Sequence, residues 1–418
     1  MKTLFTFLSL CFSLVAFSQG FPVAKPNENG MSPDRLSRID QLVNDHVKNQ
    51  WVNGAVVMII RNGKVVYHKA FGYSNVEQKA AMKKDDIFRI ASQSKAITCL
   101  AVMMLFEEGK FFLDDPISKY IPEFKNPKVL NRLNWADTTY TTTPAKSEIT
   151  IRQLLTHTSG VDYAYIGNQE FKAIYAKAGI PSGIGTPDGL IADKMKKLGG
   201  LPLKHNPGEE FTYGLNMDIL GYLVEVLSGM PFDQFLRTRI FQPLGMNDTW
   251  FYLPKEKWSR LVPLYQVADG KLSRISGKAF DANNADYPAD AGTYFSGGAG
   301  LSSTTEDYAR FLQLFLNKGE FNGVRLLSRK TVELMLTNQT HPPVTEQVGL
   351  GFGLETELND YQSIYSLGTF SWGGAFSTSY WADPKEKLIG LIYTNVGGSP
   401  YRTMNERVKV LIYQAITD

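Results

Sequence analysis

The segment Phe88-Arg89-Ile90-Ala91-Ser92-Gln93-Ser94-Lys95 decides how the rest of this chain is interpreted. Apolar residues follow it as far as Gly109, and this pattern predicts a buried helix that begins at Ser92 and ends at the glycine. On such a helix the side chains of Ser92 and Lys95 lie on one face, within reach of each other. Two interpretations stay open from these residues alone: a reactive serine with its proton acceptor, or a helix N-cap followed by a solvated lysine.

The first interpretation requires a particular electrostatic environment. A serine hydroxyl is a poor nucleophile until a neighbouring base removes its proton. Lys95 can be that base only if burial and nearby positive dipoles lower its pKa from the ordinary ~10.4. The start of a helix also offers backbone N–H groups that stabilise an oxyanion. The SxxK spacing is therefore a candidate site only if other segments of the chain supply its partners.

The composition excludes several classes of protein. Of the 418 residues, 43% are hydrophobic and 20% charged, which is typical of a globular protein. The formal net charge of +3 is spread along the chain without a run of five like charges, so neither nucleic acid nor an anionic membrane surface is an expected partner. The five histidines are scattered without a metal-binding spacing, and no metal or cofactor is expected.

The N-terminal residues MKTLFTFLSLCFSLVAFSQG place a lysine before a short apolar stretch that ends in small residues. This pattern predicts a signal peptide over residues 1–18, and hence export to the periplasm or the medium. The stretch is too short for stable membrane insertion. A lipid anchor on Cys11 is disfavoured because Leu10 stands where a small residue is needed. Cleavage would leave Cys99 as the single cysteine, so no internal disulfide is expected.

The pattern of secondary structure predicts an α/β (α+β) fold in which both chain ends build one antiparallel sheet, flanked by N- and C-terminal helices. Ser32-Pro33 begins a helix, and two β-prone runs around Asn62-Gly63 predict a hairpin. We expect one domain over residues 31–418, with 31–115 and 286–418 as its α/β part and 116–285 as a mainly helical insertion. Further expected features are a polar surface excursion at 131–147, a helix over 216–228, a capping box at 303–306, strands over 375–380 and 387–393, and a last helix around 408–412.

Five further segments are similar to hallmark motifs of one family. Together with the segment around Ser92 they resemble the serine β-lactamase/penicillin-binding-protein superfamily, in its class C-like branch. The segments are Ile149–Gly160, which contains Leu-Leu-Thr-His-Thr-Ser-Gly, then Pro207–Tyr213, Phe241–Met246, Gly297–Ser303 and Trp372–Gly374. The resemblance spans residues 31–415 and implies the β-lactamase/DD-peptidase fold.

The resemblance implies a role for several side chains. It makes Ser92 the acylated nucleophile, Lys95 its proton acceptor and Tyr213 a relay of protons between nucleophile, lysine and leaving group. A tyrosine serves as a base near pH 7 only beside a cation, and Lys95 is the expected cation. His157 is implied to be part of a structural turn, since the chain has no G-x-S-x-G elbow that would favour a serine–histidine pair.

The third motif of the family is implied to form the other side of the site. The backbone N–H of Ala375 is expected to join that of Ser92 as the oxyanion hole. Gly373 and Gly374 are expected to let a substrate approach the strand closely.

Two departures from the family pattern bear on the substrate. Leu215 stands where penicillin-recognising members have asparagine, and Asn216, one place later, is expected to be the N-cap of the next helix. Trp372 replaces the lysine that would face a substrate carboxylate. Trp-Gly-Gly is similar to the third motif of the family VIII carboxylesterases. Leu215 and Trp372 are therefore both expected to contact substrate, and an aromatic wall favours acyl or alkyl groups over carboxylates.

These observations predict an exported serine hydrolase of the SxxK type. It would cleave small carboxylic esters or lactones through an acyl-enzyme intermediate. One alternative is a class C-like β-lactamase or D-amino-acid peptidase that acts on β-lactams or cell-wall peptides. Another is a non-catalytic binder or sensor of acylating ligands. The expected partner is thus a small ester or amide.

Overall fold

The computed structural model of the protein describes residues 20–282, 284–397 and 403–418. The predicted signal peptide, with Cys11, lies outside the described residues. Among the residues that are described, no helix has both the length and the apolar character needed to cross a bilayer.

Eleven α-helices and sixteen β-strands are formed by the described residues. The helices are α1 Pro33–Lys48, α2 Ser94–Glu107, α3 Ile151–Leu155, α4 Gln169–Ala178, α5 Ile191–Gly199, α6 Asn216–Ser228, α7 Phe232–Leu236, α8 Gln242–Leu244, α9 Thr305–Leu316, α10 Arg329–Met335 and α11 Thr403–Tyr413. The strands are β1 Gly54–Arg61, β2 Lys64–Asn75, β3 Ala80–Ala81, β4 Phe88–Arg89, β5 Lys128–Asn134, β6 Thr139–Pro144, β7 Tyr265–Ala268, β8 Lys271–Arg274, β9 Ser302–Ser303, β10 Glu320–Phe321, β11 Val324–Arg325, β12 Gly353–Leu354, β13 Phe370–Gly374, β14 Thr378–Asp383, β15 Leu388–Tyr393 and β16 Val396–Gly397.

The central sheet has seven strands in the order β12-β13-β14-β15-β1-β2-β3. Neighbouring strands are antiparallel throughout, and β1 lies between β2 and β15 with Val57 opposite Ile392. Strands near the two ends of the chain therefore share one sheet, which confirms the predicted fold class. The boundaries of the insertion at 116 and 285 stay a prediction.

The sheet separates two hydrophobic layers because successive residues of a strand point to opposite faces. Val56 and Met58 of β1 belong to the larger core, which also contains α2. Val57 and Ile59 belong to a smaller core with apolar residues of α1 and α11. The residues of α2 from Ser94 to Leu105 are all buried, as expected for a helix inside a core.

The structure corrects the predicted start of α2. The helix begins at Ser94, and Ser92 lies in a preceding 3₁₀ turn, Ala91–Gln93. Ala91 has φ +43°, in the left-handed region that non-glycine residues seldom adopt, so the chain cannot pass directly from β4 into a regular helix. We call Ala91–Gln93 the serine turn.

Three other local predictions were wrong in detail. Residues 375–377 form a turn rather than a strand, since β13 ends at Gly374 and Ser377 has φ +60°. The N-cap of α9 is Thr304, whose hydroxyl accepts from the Asp307 amide, so the helix begins one residue later than the predicted capping box required. The excursion at 131–147 is largely exposed, as predicted, but it contains most of the β5–β6 hairpin.

Candidate active site

The serine turn holds Ser92 at the edge of the core. β4 leads into it, Ala91 is fully buried, and Ser92 is partly exposed. The hydroxyl of Ser94 donates to the Ala91 carbonyl at 2.7 Å and accepts from the Leu301 amide at 3.0 Å. These bonds help to hold the turn in its strained conformation, as is common at functional sites.

Lys95 lies at the centre of the site and is only 2% exposed. Its Nζ donates to the carbonyl of Gly298 at 2.7 Å, to the hydroxyl of Tyr163 at 3.0 Å and to Ser92 Oγ at 3.4 Å. The structure thus brings together the serine and lysine of the SxxK pair. Three acceptors match the three N–H groups of an ammonium ion.

Two opposing effects act on the pKa of Lys95. Burial lowers this pKa, but interactions with the phenol groups of Tyr163 and Tyr213 raise it more, and the net change is upward from the ordinary lysine value. Burial thus acts in the direction that a lysine base requires, but the two phenol groups outweigh it. The site favours an ammonium ion at neutral pH, so a proton leaving Ser92 needs a second group besides Lys95 to accept it.

Tyr213 lies next to Lys95 and is the candidate for this second group. Lys95 Nζ lies 4.4 Å from the centre of the Tyr213 ring. The ring of Trp372 stacks on Tyr213 with 5.9 Å between centroids and 26° between planes, and Trp372 Nε1 lies 3.4 Å from the Tyr213 hydroxyl. Tyr213 thus contacts both the lysine and the indole.

Two further residues, Tyr163 and Asp218, complete the surroundings of Lys95 and were missed in the sequence. Tyr163 is buried, and burial raises the pKa of its phenol, which stays protonated at neutral pH. Asp218 accepts hydrogen bonds at 2.8 Å each from the amide of Gly298 and the hydroxyls of Ser296 and Tyr294. Tyr163 follows the Leu-Leu-Thr-His-Thr-Ser-Gly segment by three residues, and an acidic residue in an otherwise apolar helix start was the available signal for Asp218.

The end of β13 approaches the serine turn closely. A Cβ atom on Gly374 would lie 2.5 Å from the Ile90 carbonyl oxygen, so only glycine fits there. Gly373 is exposed, and a Cβ atom on it would meet nothing closer than 3.4 Å. The close approach at Gly374 brings the backbone of Ala375, the next residue, towards Ser92, as an oxyanion hole of these two amides requires.

Leu215 does not lie on the open side of the site. It is 1% exposed and packs in the larger core. The predicted contact of Leu215 with substrate is therefore not what the structure shows. Gly214 before it leaves room for the backbone of the preceding segment, because a Cβ there would lie 1.9 Å from the Val161 carbonyl oxygen.

His157 occupies a buried turn with φ +59°. Burial, and secondarily the charge of Lys95, lower its pKa well below the ordinary value, so it stays neutral. Its Nδ1 accepts from the Asn216 side chain at 2.8 Å, and its ring lies 4.8 Å from that of Tyr213. Asn216 is thus not the N-cap of α6 but its first residue, and its side chain fixes His157 beneath Tyr213.

Comparison with known proteins agrees with this geometry. Protein Rv1367c of Mycobacterium tuberculosis is 34% identical over 357 residues, covering 82% of this chain and 85% of the relative. Esterase EstB of Burkholderia gladioli is 28% identical over 397 residues, covering 91% and 94% of the two chains. The solved structure of EstCE1, described as a hydrolase with promiscuous acyltransferase activity, superposes with a TM-score of 0.77 at 26% identity, covering 91% of this chain and 99% of that one. The sequence model of the Beta-lactamase family matches residues 39–414, and the chain therefore belongs to this family of serine hydrolases.

Proposed function

We propose that this protein is an SxxK esterase that cleaves small carboxylic esters or lactones, with Ser92 as nucleophile. The observation that carries the proposal is the stack of Trp372 on Tyr213 beside Lys95. The stack places an apolar wall where a leaving group would receive its proton. The esterase names of two similar proteins support the same reaction.

Acylation follows from the geometry around Lys95. Ser92 Oγ attacks the ester carbonyl carbon, and its proton passes to the Lys95–Tyr213 pair, which reacts in the state that holds one proton fewer than an ammonium ion and a neutral phenol together. The carbonyl oxygen becomes an oxyanion that the amides of Ser92 and Ala375 stabilise. The bond to the leaving oxygen then breaks, Tyr213 delivers the proton to that oxygen, and the alcohol departs. The acyl group remains on Ser92 Oγ.

Deacylation runs through the same groups. Water attacks the acyl carbon, and its proton enters the Lys95–Tyr213 pair. Collapse of the second oxyanion breaks the bond to Ser92 Oγ, which regains a proton from the pair. The carboxylic acid leaves, and the site returns to its starting protonation state.

Trp372 favours esters over anionic β-lactams and peptides. Its indole offers one neutral N–H donor, which points at the Tyr213 hydroxyl. A lysine in its place would give a substrate carboxylate a charged hydrogen bond worth about 1.5–3 kcal/mol. Without this hydrogen bond, selectivity for substrates that carry a carboxylate is lower by roughly tenfold to a hundredfold.

A Ser92→Ala variant tests the proposed nucleophile. We expect it to lose turnover of p-nitrophenyl butyrate, whereas Ser37→Ala, on the exposed face of α1, should behave as wild type. Mass spectrometry of the wild type mixed with substrate should detect a transient acyl adduct on Ser92. Undiminished turnover by Ser92→Ala would exclude the proposed mechanism.

The second candidate is a β-lactamase or D-amino-acid peptidase, which the family match supports. Nitrocefin and a D-Ala-D-Ala peptide, assayed beside the ester, separate the two candidates. Catalytic efficiency on either compound equal to that on the ester would favour the second. A stable adduct on Ser92 without product release would instead favour a binder or sensor of acylating ligands.

Export is also part of the proposal. The N-terminal residues support it through their signal-peptide pattern. Expression of the full chain in a bacterium, followed by fractionation and mass spectrometry of the mature N-terminus, tests it. A cytoplasmic product that retains Met1 would contradict export.

A further inference from the structure

A small apolar cluster includes part of the serine turn. Ala91, which precedes Ser92, and Phe376, which follows Ala375, are both buried in it. Phe280 and Ala375 pack against the same cluster. The proposed oxyanion hole consists of the amides of Ser92 and Ala375. The cluster thus contains the residue before Ser92 and contacts Ala375 itself.

Three aromatic rings extend this cluster towards solvent. The rings of Phe376 and Phe280 meet edge to face with centroids 5.5 Å apart, and those of Phe280 and Tyr165 do so at 5.3 Å. Exposure rises along the series from 1% at Phe376 to 55% at Tyr165, with Phe280 half-buried between them. We call these three residues the aromatic series. Its exposed ring belongs to the loop that also carries Tyr163, a hydrogen-bond partner of Lys95.

The loop that carries Phe280 is held firmly. One carboxylate oxygen of Asp281 accepts from the Ser182 amide at 2.6 Å, the Ser182 hydroxyl at 2.8 Å and the Thr186 hydroxyl at 2.7 Å. Farther along the loop, the buried guanidinium of Arg89 donates to the carbonyl of Ala285 at 2.8 Å. Bonds on the C-terminal side of Phe280 therefore join its loop to two other segments and limit its movement.

The bonds around the acyl carbon in the proposed mechanism indicate which part of the substrate this series would contact. In that mechanism the carbonyl oxygen lies between the amides of Ser92 and Ala375, and the leaving oxygen faces Tyr213. The remaining substituent, the acyl group, must lie on another side of the carbon. Phe376 and Phe280 belong to the small cluster that contains Ala91 and contacts Ala375, whereas Trp372 packs against the larger core, so the aromatic series is the surface that we assign to the acyl group.

We propose that Tyr165, Phe280 and Phe376 form the acyl-binding wall, and that the enzyme prefers esters of aromatic or branched apolar acids over esters of acetate. This inference rests on the proposed esterase function and names its substrate class. An aromatic acyl group would continue the edge-to-face contacts that the three rings already make. The alcohol part would contact Trp372 and contribute less to the selection.

Esters with one leaving group and different acyl groups test the proposal. We expect kcat/KM for p-nitrophenyl phenylacetate to exceed that for the acetate by about tenfold or more in the wild type. Phe280→Ala should bring this ratio to about parity, and Tyr165→Ala should lower it by about threefold. In both variants kcat/KM should fall more for the phenylacetate than for the acetate. Tyr361→Ala, which removes a ring that is 81% exposed on a different loop, is the matched control.

The outcomes separate this inference from the function on which it rests. A ratio that both Phe280→Ala and Tyr165→Ala leave unchanged would overturn the acyl wall while esterase activity stands. A wild-type preference for acetate would do the same. If the wild type hydrolyses none of these esters, the proposed function and the inference both fail. If Phe280→Ala does not fold, Tyr165→Ala decides, because its exposed ring contributes little to packing.

Discussion

Replacing Gly374 by alanine tests whether the approach of β13 to the serine turn builds the oxyanion hole. The added Cβ would lie 2.5 Å from the Ile90 carbonyl oxygen and 2.2 Å from Thr378 Oγ1. The Thr378 side chain has freedom to rotate, but the Ile90 carbonyl is part of the backbone. The strand end must therefore retreat by about 0.5 Å before the contact with Ile90 becomes tolerable. That retreat moves the Ala375 amide away from the oxyanion.

The size of the effect follows from the role of that amide. Loss of one oxyanion-hole donor costs about 100-fold to 1,000-fold in kcat, or about 2.7–4 kcal/mol. We expect Gly374→Ala to approach the lower figure, since the amide is displaced rather than removed. Gly373→Ala should keep kcat within about threefold, because its Cβ would point to open space and meet only the Thr378 carbonyl, at 3.4 Å.

Steady-state kcat for p-nitrophenyl butyrate, with the thermal midpoint as a control for folding, measures both variants. A Gly374→Ala protein that folds and retains wild-type kcat would refute the reasoning. The double variant Gly374→Ala/Thr378→Ala identifies the responsible contact. If it recovers full activity, the clash with Thr378, and not the approach to Ile90, explains the loss.

Three more substitutions probe the site and the fold. Tyr163→Phe removes one acceptor from Lys95, so kcat should fall about tenfold and the basic limb of its pH profile should move to lower pH; an unchanged profile would exclude Tyr163 from the proton path. Trp372→Lys should raise the ratio of nitrocefin to ester kcat/KM by about tenfold, and a constant ratio would show that this position does not select for charge. Burial lowers the pKa of His68 to about 4, so the unfolded chain takes up a proton first as the pH falls from 6.5 and stability is lost towards pH 4. Urea unfolding at pH 7.5 and 4.5 should show that His68→Gln loses about 2 kcal/mol less than the wild type on acidification, and equal losses would contradict a buried neutral His68.

The parts of the fold that sequence alone predicted are those that local rules determine. Asn62 and Gly63 both adopt positive φ, as the hairpin turn between β1 and β2 requires. The dipeptide Asn-Gly alone is enough to predict this turn. The Ser32 N-cap of α1 is equally local, because its hydroxyl accepts from the amide of Arg35 three residues on.

The residues that were missed depend on contacts between distant segments. Lys95 meets Tyr163 across 68 positions and Gly298 across 203. The left-handed φ of Ala91 has no signal in its neighbours, since alanine is an ordinary helix residue. In the same way, Leu215 was assigned to substrate from its place in a motif, although tertiary packing puts its side chain into the core. Motif positions identified Ser92, Lys95, Tyr213 and Trp372, but they did not identify Tyr163 or Asp218.

The charges around Lys95 bear on the substrate as much as Trp372 does. The ammonium group binds the carbonyl of Gly298, and the carboxylate of Asp218 accepts from the amide of the same residue at 2.8 Å. The positive charge of Lys95 is thus compensated by a buried carboxylate one peptide unit away. A substrate carboxylate gains little from a cation that is already balanced, whereas a neutral ester requires no cation. The proposed preference for esters therefore rests on the buried Asp218 as well as on the indole, and a lysine at position 372 would supply a positive charge that Asp218 does not compensate.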